Sequence, residues 1–189
     1  MVELFKPKEL YQEQLANSEN LVKPVNVARY SVNGKVYEVK DGSSDDIANI
    51  SLRDNQMSAL FLGYASQVKR LTTMDTEPRS PVGFYLGKIF DNPKTFELFF
   101  NYVAPNVRIN GIGIVHRVDS LLMALNMESI EKFLTRIVEG KSGFYESLEG
   151  ICAGITKDSG TEYAIDLRDK DKVRRIVEKR LELMRFKFL

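Results

Sequence analysis

Short β-like runs alternate with amphipathic helical runs over most of this sequence, and that order constrains the fold more than any other feature. From residue 82 onward the patterns indicate strand, helix, one or two strands, helix, two strands, helix and strand. Helices that interleave with hairpins are typical of a mainly antiparallel sheet. We therefore predict an α+β fold in which three helices pack on one face of the sheet, preceded by a β-hairpin and an extra helix.

The N-terminal elements have clear local signals. In RYSVNGKVYEV, Asn33-Gly34 lies between two apolar runs, and this dipeptide suits the two positive-φ positions of a hairpin turn. The acidic segment DGSSDD is interpreted as a loop. From about Asp54, apolar residues recur at spacings of three and four, which predicts the extra helix. These residues are Met57, Leu60, Phe61, Tyr64, Val68 and Leu71.

The middle of the chain is predicted as strand, helix, strand and helix. VGFYLGKIF is typical of a strand, and Asp91-Asn92-Pro93 then caps a helix whose buried stripe contains Phe96, Phe99, Phe100 and Val103. VRINGIGIVHRV is rich in Val and Ile and is predicted as a strand, in which Gly111 and Gly113 indicate a bulge or a close backbone approach. SLLMALN suits either a strand or the start of a helix. The stripe of the next helix consists of Ile130, Phe133, Leu134, Ile137 and Val138.

The C-terminal part is predicted as two strands, a helix and a last strand. GICAGIT and TEYAIDL flank a turn, Lys170 to Met184 has an apolar helical stripe, and RFKFL alternates. Residues 1–26 are polar and contain two prolines, so they are predicted to form an arm that contacts a partner. Residues 27–189 are predicted to form a single domain.

Composition excludes several kinds of site. One cysteine, Cys152, rules out an internal disulfide, and with one histidine a cysteine/histidine zinc cluster cannot form. No apolar run approaches the length of a membrane helix. We predict no metal, no cofactor and no membrane contact, and a cytoplasmic location.

The segment His116-Arg117-Val118-Asp119 is the one candidate for catalysis. These side chains could supply a general base, an anion clamp and an acid. HRVD also resembles the His-Arg-Leu-Asp motif of pseudouridine synthases, but the Thr-Ser-Gly element that follows there is missing. Walker, GxSxG and HExxH motifs are also missing. The segment is therefore interpreted as a strand end with an Arg–Asp pair and a partly exposed histidine, and the protein is predicted not to be an enzyme.

Positive charge is concentrated near the C-terminus. Between Arg168 and Lys187 there are nine Lys/Arg and four Asp/Glu. Basic residues beside aromatic strands suit single-stranded nucleic acid, whereas the alternative is a solvated helix face. The predicted polyanion site consists of Lys157, Arg168, Lys170, Arg174, Arg175 and Lys179.

Four segments of residues 82–189 carry a family resemblance: FDNPKTFELFFNYV, IEKFLTRIVEG, GICAGITKDSGTEYAIDL and KVRRIVEKRLEL. They resemble the translation-initiation cap-binding protein family, which implies a fold that holds the messenger RNA cap, with Lys157 similar to a phosphate-binding residue. That family clamps the cap between two tryptophans, and this chain has none. Glu97 also stands where the family has a tryptophan for its scaffold partner. The resemblance therefore implies the fold without ordinary cap recognition.

Three functional hypotheses follow. The first is a non-enzymatic protein that binds RNA or another polyanion through a sheet face and the basic C-terminal helix. The second is a structural subunit of a virion or multiprotein complex, in which residues 1–26 make the contacts of a homo-oligomer or bind a protein partner. The third is an enzyme that uses His116.

Overall fold

The computed structural model describes residues 27–74, 80–91, 94–137, 143–148, 150–157 and 160–189. The predicted arm of residues 1–26 lies outside these residues. Within these ranges the strands are β1 (Val27–Val32), β2 (Lys35–Asp41), β3 (Val68–Met74), β4 (Pro81–Asp91), β5 (Lys94–Val103), β6 (Lys132–Ile137), β7 (Cys152–Lys157), β8 (Gly160–Asp166) and β9 (Lys187–Phe188). The α-helices of the same described residues are α1 (Ser44–Arg53), α2 (Met57–Tyr64), α3 (Ile112–Asn126), α4 (Gly143–Glu146) and α5 (Lys170–Leu183).

All nine strands belong to one sheet, in the order β7-β8-β6-β5-β4-β3-β2-β1-β9. Every neighbouring pair is antiparallel except β5 and β6, which are parallel. The predicted α+β class with a mainly antiparallel sheet is therefore confirmed. Parallel neighbours need a crossover connection, and here the crossover contains a 3₁₀-helix, Pro105–Asn110, followed by α3.

The elements with strong local signals form as predicted. Asn33 and Gly34 have φ values of 52° and 77°, so the turn between β1 and β2 uses both positive-φ positions. β4, the pair β7 and β8, helix α5 and strand β9 also lie where they were predicted. The segment DGSSDD is more than a loop, because Ser43 caps α1 and forms a capping box with Asp46.

The predicted helix after Pro93 is wrong, because Lys94–Val103 is strand β5. The spacing of its aromatic residues fits a helix, but β5 lies inside the sheet and has apolar side chains on both faces. Such strands show no alternation between polar and apolar residues. The predicted helix after Met127 is also a strand: Lys132–Ile137 is β6, and Phe133 stacks on Phe96 of β5 with ring centres 5.9 Å apart.

The predicted strand VRINGIGIVHRV is wrong as well, because it contains the 3₁₀-helix and the first turns of α3. Val and Ile favour strands weakly, and tertiary packing overrides that preference. Ile112, Val115 and Val118 recur at helical spacing and are buried against the sheet. SLLMALN continues the same helix. Among the described residues, no helix combines the length and the apolar character that crossing a membrane requires.

Candidate active site

The parallel strands β5 and β6 separate from each other and leave a cleft. They are paired only from Thr95 and Lys132 to Leu98 and Thr135. Beyond this point β5 continues to Val103 without β6 beside it. The cleft has a volume of about 500 Å³ and its walls are Leu98–Val103 of β5, Thr135–Ile137 of β6, and Arg108, Gly113 and Arg117 of the crossover. We call the point where the strands meet, at Leu98 and Thr135, the apex.

The wall formed by β5 has a strand edge that no other described strand pairs with beyond Leu98. β5 is paired with β4 along its whole length, as far as Val103. On the opposite side, pairing with β6 ends at Leu98, where the Thr135 hydroxyl donates a hydrogen bond of 3.0 Å to the Leu98 carbonyl. An unpaired strand edge offers backbone N–H and C=O groups to an extended ligand. The cleft is therefore suited to a ligand that lies along β5 like an additional strand.

The start of α3 opens into the cleft. Gly111 precedes the helix with φ +83°, and no side chain caps the helix there. The first helical hydrogen bonds are donated by Ile114 and Val115 to the Gly111 carbonyl. The N–H groups before them have no partner within the helix, and together with the helix dipole they attract anions. A Cβ atom on Gly113 would have no heavy atom within 4 Å, so this side of the first turn is open to a ligand.

Three arginines make the cleft positively charged. Among the described residues that line it, Arg108, Arg117 and Arg136 are basic and none is acidic. The Arg108 Nε donates to the Val103 carbonyl at 3.2 Å, which holds the side chain at the end of β5. Positive charge within a concave surface raises the local concentration of anionic ligands. The site is thus suited to an elongated anionic molecule.

His116 lies beside the cleft but is not exposed, so the predicted partly exposed histidine is wrong. Its Nε2 lies 2.7 Å from the Thr72 hydroxyl and its Nδ1 lies 2.5 Å from Asn101 Oδ1. A neutral imidazole has one donor and one acceptor, which fits these two partners. Burial, and secondarily the charge of Arg117, lowers the pKa of His116 to about 3. His116 therefore holds Asn101, which lines the cleft, in place.

The predicted Arg–Asp pair is wrong too, because Asp119 faces the core from α3. Its carboxylate accepts hydrogen bonds from Tyr30, from Tyr85 at 2.6 Å and from Arg70 Nε at 3.2 Å. Arg70 is fully buried and also reaches Asp41 at 2.8 Å. On a helix, His116 and Asp119 share one face because they are three residues apart. This face packs on the sheet, whereas Arg117 points into the cleft.

The residues of the predicted polyanion site lie away from the cleft. Lys157 ends β7, and Arg168 forms an exposed ion pair with Asp166. Lys170 donates to the carbonyl of Glu128, just after α3, and Arg174 donates to the carbonyl of Leu125, near the end of α3. Arg175 and Lys179 are exposed on α5. Lys170 and Arg174 thus attach α5 to the rest of the domain, and binding of a polyanion by these six residues stays a prediction.

The fold is similar to that of several acetyltransferases of known structure. The apo form of FdhC, a nucleotide-linked sugar GNAT, superimposes with a TM-score of 0.54 over 76% of this chain and 93% of that chain, at 13% identity. Diaminobutyrate acetyltransferase EctA from Paenibacillus lautus, in complex with L-2,4-diaminobutyric acid and coenzyme A, has a TM-score of 0.50, covers 70% of this chain and 96% of that chain, and is 12% identical. The chain has the GNAT fold. No family model matches its sequence, and no curated protein sequence does.

This result overturns the predicted resemblance to the cap-binding family. The resemblance depended on helices at residues 94–103 and 130–138, and both segments are or contain strands of the GNAT fold. The hypotheses of a non-enzymatic RNA-binding protein and of an assembly subunit are wrong for the same reason, because the structural neighbours are acetyltransferases. A N-acetylglutamate synthase from Neisseria gonorrhoeae, solved with coenzyme A and N-acetyl-glutamate, is a further neighbour at 12% identity and a TM-score of 0.50; the match covers 70% of this chain and 35% of that chain.

Sequence reasoning missed Arg108, Gly111 and Gly113. The two glycines were noted as a sign of close backbone approach, but within a strand. Glycines between a strand and a helix are a known signal for phosphate binding, because they let the backbone approach the anion. The signal could not be recognised while the residues after Gly111 were interpreted as a strand.

Proposed function

We propose that this protein is an acyltransferase that uses an acyl-coenzyme A thioester as donor and an amine as acceptor. The observation that carries the proposal is the cleft. Its β5 edge runs from the start of α3, beside Arg108, to the apex, and three arginines line it. Coenzyme A has matching parts in the same order, which are phosphates, an extended arm with two amides and a thiol. The structural neighbours support the proposal, since two of them were solved with coenzyme A.

In the proposed complex, the pyrophosphate binds at the first turn of α3, near Gly113 and Arg108. The amides of the arm pair with the free edge of β5 between Val103 and Phe99, as a peptide does when it extends a sheet. The thioester then reaches the apex at Leu98 and Thr135. This arrangement is consistent with a cleft that has no acidic residue among its described lining, because a carboxylate there would repel the phosphates.

The proposed reaction is transfer of the acyl group to nitrogen. The amine attacks the thioester carbonyl carbon, a C–N bond forms, the C–S bond breaks, and the nitrogen loses a proton as the sulfur leaves and becomes a thiol. The contribution of this chain is first to hold the thioester in one orientation, which lowers the entropic part of the barrier. Asn101, fixed by His116, is a polar side chain of the cleft that could orient one of the reactants.

Isothermal titration of the full chain with coenzyme A tests the proposal. We expect saturable binding to one site. The variant Gly113→Leu should weaken it by about tenfold or more, because the new side chain would occupy the open side of the helix start.

The same variant should melt at the wild-type temperature, since a Cβ at position 113 has no neighbour within 4 Å. Absence of coenzyme A binding by the wild-type chain would refute the proposal. Unchanged affinity in Gly113→Leu would refute the assignment of the phosphates to α3.

Two sequence-based expectations are carried forward as proposals. The first is the cytoplasmic location, which fractionation of cells that produce the chain would check. The second is a partner contact through residues 1–26, which would be lost when these residues are deleted.

A further inference from the structure

Arg117 differs from the other two arginines of the cleft because it is half-buried and no acidic side chain in the described ranges pairs with it, whereas Arg108 and Arg136 are exposed. Arg136 lies 3.7 Å from Glu162, and Arg108 donates to a backbone carbonyl. Among the described residues, the guanidinium carbon of Arg117 lies over the ring of Tyr145, 5.9 Å from its centre. A ring face attracts a cation but does not cancel its charge. A half-buried charge without a counter-ion is unfavourable. A bound anion that neutralises the Arg117 guanidinium would therefore be stabilised.

Tyr145 adds a second polar group beneath Arg117. Its side chain is fully buried and stacks between the rings of Phe133 and Tyr163. The hydroxyl has no hydrogen-bond partner of ordinary geometry in the described part of the chain. Thr135 is its polar neighbour, but the Thr135 hydroxyl donates to Leu98. Burial raises the pKa of Tyr145, so the hydroxyl keeps its proton at neutral pH.

Arg117 lies between the phosphate end of the cleft and the apex. α3 runs back along the sheet toward the apex. His116 contacts Thr72, which is level with Gly83 and Val103, whereas Asp119 contacts Arg70 and Tyr85, which are level with Asn101. At a rise of 1.5 Å per residue, Arg117 is about 6 Å beyond Gly113 in the direction of the apex. The first turn of α3 and Arg108 are the groups assigned to the pyrophosphate in the proposed complex. Arg117 is thus in position for a different anionic group, one nearer to the thioester.

We propose that Arg117 binds a carboxylate of the substrate and so selects reactants that carry one. The inference rests on the proposed function. A guanidinium binds a carboxylate through two parallel hydrogen bonds, which a neutral acyl group or a plain amine cannot form. The carboxylate belongs either to the acyl group, as in a thioester of a dicarboxylic acid, or to the acceptor amine. The acyl group and the acceptor amine both reach the apex in the proposed complex, so the two sources are distinguished by experiment.

The experiment compares the full wild-type chain with Arg117→Gln and with Arg175→Gln, an exposed arginine of α5 outside the cleft. In the first arm, coenzyme A, acetyl-CoA and succinyl-CoA are titrated calorimetrically. In the second arm, release of free thiol from acetyl-CoA is followed with pairs of amines that differ only in a carboxylate, for example amino acids and their amides. We expect a preference of about tenfold or more for the carboxylate-bearing reactant in one arm.

Arg117→Gln should reduce that preference to less than about threefold, whereas affinity for coenzyme A itself should change by less than about threefold. Arg175→Gln should keep both the wild-type preference and the wild-type affinity for coenzyme A. The arm that shows the preference identifies the source of the carboxylate. The inference is overturned if the wild type has no preference in either arm, or if Arg117→Gln loses affinity for coenzyme A itself, which would assign Arg117 to the phosphates. If the wild type binds none of the three coenzyme A species, the proposed function fails as well.

Discussion

At the scale of single residues, the segment from His116 to Asp119 contains both core and cleft residues. The segment HRVD contains the one histidine of the chain. Its residue types could be recognised from the sequence, but their roles depend on whether the segment is helix or strand. In a helix, His116 and Asp119 face the sheet, whereas Arg117 faces the cleft. Their partners, Thr72, Asn101 and Arg70, are distant in sequence, so no local pattern could reveal them.

The burial of His116 predicts a specific dependence of stability on pH. The imidazole titrates near 6.5 when the chain is unfolded, but its pKa in the folded protein is about 3. As the pH falls below 6.5, the unfolded state takes up a proton that the folded state does not, so the free energy of unfolding decreases until the pH nears 3. Between pH 6.5 and pH 5 this loss amounts to about 2 kcal/mol.

Urea unfolding of wild type and His116→Gln at several pH values would measure this effect. Gln has one donor and one acceptor for Asn101 and Thr72 but does not titrate. We expect the variant to lose less stability than wild type over the same pH range. Parallel curves for the two proteins would contradict a buried neutral histidine.

At the scale of elements, prediction succeeded where the signal was local and failed where the sheet determines the outcome. The Asn33-Gly34 turn and the charged, amphipathic helix α5 are encoded by neighbouring residues, so they could be predicted. β5 was not, because the spacing of Phe96, Phe99 and Phe100 fits a helix as well as an internal strand. The start of α3 was missed because its β-branched residues favour strands when they are considered alone.

Gly111 and Gly113 provide a matched test of how α3 begins. A Cβ on Gly111 would lie 2.9 Å from Val32 Cγ1, and its φ of +83° is unfavourable for other residues. Gly111→Ala should therefore lower the free energy of unfolding by about 1–3 kcal/mol. Gly113→Ala should leave it unchanged or raise it by about 0.5 kcal/mol, because alanine favours a helix and its Cβ would have space. Chemical denaturation would measure the free energy of unfolding of both variants. An equal loss of stability in the two variants would contradict a helix that begins after Gly111.

At the scale of the whole molecule, the decisive feature is one parallel pair in an otherwise antiparallel sheet. The crossover between β5 and β6 places α3 over the sheet, and the divergence of the two strands produces the cleft. The sequence predicted the class of sheet from its alternating elements. It could not predict the strand order, because the pairing of β6 with β5 and β8 joins residues far apart in the chain.

The positive cleft predicts that coenzyme A binding depends on salt. Three arginines line it, and opposite charges attract less strongly when ions screen them. We expect the affinity for coenzyme A to fall several-fold between about 50 mM and 500 mM NaCl. Pantetheine, which lacks the phosphates, should bind far more weakly and show little dependence on salt. Equal salt dependence of the two ligands would argue against phosphate recognition by these arginines.

All described residues that line the cleft come from one continuous stretch, Leu98 to Ile137. The described strands and helices on either side of this stretch are not among the residues that line the cleft. Substitutions outside this stretch are therefore expected to change the stability of the domain more than they change what the cleft binds.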